Sequence, residues 1–108
     1  MGVERIILRP GTGVLPRAKQ TVTVHCRGML QASRKEFWAT TPDQPFSFVI
    51  GVGQVIRGWD EGVAQMRVGE KSELVCTADF AYGQKGFPAW GIGPGAGLIF
   101  EIELLNAQ

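Results

Sequence analysis

The sequence predicts an α+β fold, a five-stranded antiparallel sheet curved around one short α-helix. Three observations point there. Over most of the chain, apolar residues recur with a period of two, as in half-buried strands. One stretch departs from this: Ile56, Trp59, Val63 and Met66 follow helical spacings of three, four and three. And 15 of the 108 residues are glycine, about twice the usual ~7% share, many of them where the strand pattern stops.

Taken in order, Val3 to Arg9 is the first predicted strand, stopped by Pro10-Gly11. In the second, Val22, Val24 and Cys26 alternate with Thr21, Thr23, His25 and Arg27. Phe46, Phe48 and Ile50 share one face of the third. The helical stripe follows, with Asp60 and Glu61 in its first turn, where negative charge suits the helix dipole, and Gly69 as its end. So short a helix is not stable alone and must lie against the sheet with Trp59 inward. Leu74 and Cys76 mark the fourth strand; Leu98, Phe100, Ile102 and Leu104 mark the fifth. Residues 38–45 and 78–97 are read as loops. The second is long and rich in glycine, with Phe87, Trp90 and Ile92 in it, and a long loop in a small domain usually carries function.

Residues 1–108 are expected to form a single domain, since a typical domain has ~100–200 residues. Folding would bury roughly 65% of the surface of the unfolded chain, enough for a core without staples. With 44% hydrophobic and 19% charged residues the chain reads as globular. A net charge of +1 argues against a nucleic-acid binder built on a basic face. No apolar run approaches the ~18 residues that span a bilayer, and neither a secretory signal nor myristoylation is expected. Two cysteines make neither a disulfide framework nor a zinc site, which points to reducing cytoplasm. The protein is expected to be a monomer.

Few residues could carry covalent or metal chemistry. His25 is the single histidine and falls on the outward face of a strand. Asp60-Glu61 and Glu101/Glu103 read as charges on solvated faces rather than as an acid/base pair. Gly51-Val52-Gly53 precedes a helix, but Gly58 comes two positions too late for a dinucleotide fingerprint. That connection reads instead as a tight turn exposing backbone amides near Val55 and Ile56. What remains is aromatic: Phe37, Trp38, Phe46, Phe48, Trp59, Tyr82, Phe87, Trp90 and Phe100. An apolar pocket with a few polar donors is the default ligand site, so no metal and no cofactor is expected.

Three stretches carry a resemblance. Val55-Ile56-Arg57-Gly58-Trp59-Asp60-Glu61-Gly62-Val63, Ala81-Tyr82-Gly83 and Phe100-Glu101-Ile102-Glu103-Leu104-Leu105 are similar to the FK506-binding family of peptidyl-prolyl cis-trans isomerases. The resemblance covers the whole chain. It implies a five-stranded sheet around a helix, and a pocket between them floored by Trp59. Carried over position by position, it implies a binding site of Cys26, Phe37, Trp38, Phe46, Gln54, Val55, Ile56, Trp59, Tyr82, Phe87, Ile92 and Phe100. Tyr82, Ile56, Trp59 and Phe37 are the implied catalytic residues. It also implies that proline-containing peptides and the macrolides FK506 and rapamycin are ligands, with drug-bridged complexes to a phosphatase or a kinase. The chain departs from the common pattern where Cys26 replaces Tyr, Trp38 replaces Asp and Phe87 replaces His; Cys26, Trp38 and the run Phe87 to Ile92 resemble the plant-type branch. Trp38 removes a carboxylate acceptor that the family offers to macrolide hydroxyls.

The implied reaction suits a site without acids or bases. Rotation about X–Pro breaks no bond and moves no proton, and its barrier is ~18–20 kcal/mol. A thousandfold acceleration takes only about 4 kcal/mol. An apolar wall favours the twisted amide, which has lost charge separation. The Ile56 N–H, as the family implies, and the Tyr82 hydroxyl would hold it. The alternative is a non-catalytic module that docks proline-containing loops or serves macrolide-dependent protein binding. Cys26 and Cys76 both fall on core-facing positions. They are expected either as two buried thiols or, given the plant-type resemblance, as a redox-sensitive disulfide.

Overall fold

A computed structural model describes residues 2–108. Among these, six strands form one antiparallel sheet: β1 (Val3–Arg9), β2 (Thr21–Leu30), β3 (Glu36–Ala39), β4 (Phe46–Val49), β5 (Lys71–Cys76) and β6 (Leu98–Ala107). The helix α1 spans Arg57–Gly62. Neighbouring strands run β1-β5-β6-β2-β3, with β4 also on β2.

The sixth strand, β3, has no counterpart in the sequence reading and runs two residues into the 38–45 stretch suggested as a loop. β3 pairs with β2 from Arg27 to Met29, and β4 pairs with β2 from Thr21 to Val24. The two share one edge of the long β2, interrupted by residues 40–45, so the sheet is five strands wide. β3 is too short for its period to register. Its pairing comes from β2, and Thr40 secures its end: the Thr40 N–H donates to the Cys26 carbonyl at 2.9 Å, and the Thr40 Oγ1 accepts from the Cys26 N–H at 3.0 Å.

The period-two reading places the core correctly. Val22, Val24, Cys26, Leu74, Cys76, Leu98, Phe100, Ile102 and Leu104 are all buried on the concave face. Trp59, Val63 and Met66 meet them from the helical side. The helix is shorter than its stripe. After Gly62 it tightens into a 3₁₀ turn, Val63–Gln65, and Met66 is already extended. Gly62 lets the helix sit close to the sheet: a Cβ there would lie 2.7 Å from a Leu74 methyl, so α1 rests almost backbone-to-side-chain on β5. Gly69, expected at the helix end, instead turns the chain into β5, with a left-handed φ of +93°.

A buried polar group ties β1 to the start of β5. Glu70 is 3% exposed. Its carboxylate accepts from the Ser72 hydroxyl (2.7 Å), Arg5 Nη1 (2.8 Å) and the Arg67 N–H (3.2 Å). Burial alone would raise its pKa; the three hydrogen bonds and the Arg5 charge outweigh burial and hold it below 4.5. On the opposite, convex face His25 Nδ1 lies 3.1 Å from the Thr40 hydroxyl, in keeping with a structural histidine.

The candidate disulfide does not fit this fold. Both cysteines are free, and they flank β6 from opposite sides, Cys26 against Ile102 and Cys76 against Leu98. Two interstrand steps and a four-residue offset put their Cα atoms roughly 16 Å apart. A bridge needs ~4.4–6.8 Å. Sharing a face is a matter of period, whereas distance is a matter of strand order and register, and β6 intervenes. Burial pushes both thiols up to about 12.

Candidate active site

Between α1, β3, β4 and the glycine-rich loop lies an open, mostly apolar cavity of about 620 Å³. Trp38, Phe46, Gln54, Val55, Ile56, Trp59, Tyr82, Trp90 and Phe100 line it. The volume is of drug-ligand size, well beyond one proline ring. Trp59 faces the cavity from α1 and is 3% exposed. Phe100 meets the indole edge-to-face at 5.3 Å and Phe46 does so at 5.9 Å, so the ring is clamped from two sides. Its Nε1–H is buried with no nitrogen or oxygen partner among the described residues.

Gly28 makes the clamp feasible. A Cβ on it would lie 2.7 Å from Phe37 and 2.9 Å from Phe100, so a bare backbone is needed where these rings meet edge-to-face. The far wall is a pair of stacked indoles, Trp38 on Trp90, with centroids 5.7 Å apart. Trp90 belongs to a 3₁₀ turn, Pro88–Trp90, in the loop. Phe37 and Phe87 back it, and Phe87 stacks on Tyr82.

Polar groups are few. The Tyr82 hydroxyl has no hydrogen-bond partner among the described residues, and partial burial raises its pKa above 10, so it is a standing donor. Ile56 is the residue before α1. Its carbonyl accepts from Trp59 and Asp60, while its own N–H has no partner among the described residues. The turn before it is held by side chains. Asp60 accepts from the Gly51 and Gly53 N–H groups, and Gln54 Oε1 accepts from the Val49 N–H at 2.9 Å.

Of the residues the resemblance selected, Trp38, Phe46, Gln54, Val55, Ile56, Trp59, Tyr82 and Phe100 come together around the cavity. Cys26, Phe37, Phe87 and Ile92 are not on its wall. Cys26 and Ile92 are buried in the core, and Phe37 and Phe87 lie behind Trp90. Trp90 lines the cavity although the site residues chosen from the sequence omit it. Its place among glycines and apolar residues was the available signal.

Residues 13–105 match the family described as FKBP-type peptidyl-prolyl cis-trans isomerase. The chain belongs to that family. Its activity is the rotation of peptidyl-prolyl bonds, without metal chemistry. The "Peptidyl-prolyl cis-trans isomerase FKBP12" proteins of Arabidopsis thaliana and Vicia faba are 53% and 54% identical to it, each aligned over all of both chains. "FK506-binding protein 1A" of Emericella nidulans is 50% identical over 98% of each. Among solved structures, the N-terminal domain of FKBP42 from Arabidopsis thaliana superposes with a TM-score of 0.92 at 28% identity, covering 99% of this chain and 87% of that one. No helix among the described residues is long and apolar enough to cross a membrane.

Proposed function

We propose that this isomerase turns over X–Pro bonds in the aromatic cavity, with residues 1–108 acting as one domain and one active unit. The observation that carries this is two unpaired donors, the Ile56 N–H and the Tyr82 hydroxyl, at the wall of a site otherwise built of rings. The proline ring rests on the Trp59 indole between Phe46 and Phe100. Phe37 acts from behind by bracing Phe100 and Trp90. The Ile56 N–H holds a substrate carbonyl flanking the rotating bond. The Tyr82 hydroxyl donates to the peptide and stays protonated throughout. The rings exclude water from an amide whose charge separation falls as it twists, so the twisted state gains over the planar one. About 4 kcal/mol of such preference gives a thousandfold rate.

The same cavity is proposed to take FK506- and rapamycin-type macrolides, with Trp38 offering an aromatic face. Drug-bridged phosphatase or kinase docking would use loop 84–95, where Phe87 and Trp90 are each 37% exposed. Two free, buried thiols suit a reducing cytoplasm. The test is the cis-to-trans rate of a short peptide with an apolar residue before proline, by coupled assay or exchange NMR. Acceleration is expected at submicromolar protein. None at micromolar protein would leave a docking module for proline-containing loops.

A further inference from the structure

The turn that delivers Ile56 to the cavity is poorly supported by packing. Gly51 and Gly53 take left-handed φ values of +83° and +77°, and a Cβ on Gly53 would meet nothing within 4 Å. Val52 between them is 47% exposed. Glycines in such a turn leave the backbone free to move unless something fastens it. Asp60 does so. One carboxylate oxygen accepts from the Gly51 N–H at 3.0 Å and the other from the Gly53 N–H at 2.9 Å. The Asp60 backbone N–H donates to the Ile56 carbonyl at 3.2 Å. A single residue of α1 therefore binds the turn on one side of Ile56 and the Ile56 peptide on the other. The sequence reading placed this carboxylate at the helix start for its dipole; the hydrogen bonds give it a more definite task.

We propose that Asp60 is a positioning residue of the isomerase, fixing the Gly51–Gly53 turn so that the Ile56 N–H points at the substrate. Asp60 does not line the cavity. Its effect passes through the turn, and the proposal rests on the reading that the Ile56 N–H binds the substrate carbonyl. A donor that drifts by about 1 Å loses what it contributes to the twisted state more than what it contributes to ground-state binding. The loss should therefore fall on kcat rather than KM.

The test compares Asp60→Asn, Asp60→Glu and a semisynthetic protein in which an ester replaces the Ile56 amide, removing only its N–H. Asparagine is nearly isosteric, but one of its two oxygens becomes an NH₂ that cannot accept. Rates are expressed per folded molecule, with the folded fraction from circular dichroism. Asp60→Asn is expected to lower kcat about tenfold, with KM within twofold, and to speed hydrogen exchange at Gly51 and Gly53. Asp60→Glu keeps both acceptors and is expected to restore at least half of kcat. In the ester protein Asp60→Asn should cost nothing further. Normal kcat in Asp60→Asn despite fast exchange at the two glycines, with the ester protein impaired, overturns this proposal alone. So does an undiminished tenfold loss in the ester background. Full kcat in the ester protein overturns the Ile56 reading, and this proposal with it.

Discussion

Gly58 is the second residue of α1, and a methyl group there has nowhere to go. A Cβ on it would overlap Cys76 Sγ and lie 3.2 Å from Cys76 Cβ and 3.1 Å from the Phe80 carbonyl oxygen. Ordinary contacts between such atoms lie near ~3.5–4.0 Å. Cys76 is 0% exposed, on β5 beneath the helix, so it cannot swing aside. In an open helix, Gly→Ala would stabilise by at most about 1 kcal/mol. Overpacking a filled core costs ~1–3 kcal/mol. Gly58→Ala is therefore expected to destabilise by roughly 1–2 kcal/mol, which lowers Tm by ~4–8 °C per kcal/mol in a domain near this size. Because Trp59 is the next residue, KM for a proline peptide should rise as well. Cys76→Ala removes the overlapping sulfur. The double variant should then be more stable than the sum of the single changes by at least about 1 kcal/mol, and it should recover KM. Urea titration followed by circular dichroism, with peptide kinetics alongside, measures both. Additivity within ~0.5 kcal/mol would refute the argument, because it would mean that helix and strand are not in contact at this point.

The buried Glu70 carboxylate makes stability depend on acid. Its folded pKa is held below 4.5, so its contribution is full above that value and is lost as pH falls through the folded pKa. Glu70→Gln should flatten that acid limb of a urea-midpoint titration; an unchanged limb would assign the dependence to other carboxylates. Cys26 and Cys76, with thiols pushed up to about 12, should resist alkylation in the native protein at pH 8. Both should label after air oxidation and unfolding; a mass two hydrogens lighter with neither thiol labelled would contradict the strand register. Tyr82→Phe should keep the fold and lose about 1 kcal/mol of transition-state binding, roughly fivefold in kcat/KM. Unfolding of Tyr82→Phe would make that hydroxyl structural. Since Tyr82 is the one ionisable side chain lining the cavity and its pKa is raised, peptide turnover should be level from pH 6 to 9.

The sequence alone was enough for five of the six strands and, in β2, β4, β5 and β6, for the side that is buried. A strand with one wet face must alternate, so Val22-Val24-Cys26 and Leu98-Phe100-Ile102-Leu104 announce both their conformation and their inward side. Trp59 was legible for the same kind of reason, since one helical stripe amid period-two segments can only be the helix that the sheet covers. The extended motifs around Trp59 and Tyr82 also carried the family, because they name residues rather than patterns. Tertiary structure decided what depends on partners distant in sequence. β3 exists because β2 offers it an edge, which four residues cannot signal locally. Position 62 must be glycine because a Leu74 methyl on β5 lies 2.7 Å from where a Cβ would be. Trp90 became cavity wall only when the loop brought it onto Trp38. Asp60 found its partners only once the turn had folded back. Cys26 and Cys76 show the boundary most plainly. Alternation correctly sends both thiols into one core, but whether they can meet depends on which strand lies between them, and that is set by long-range pairing, not local period.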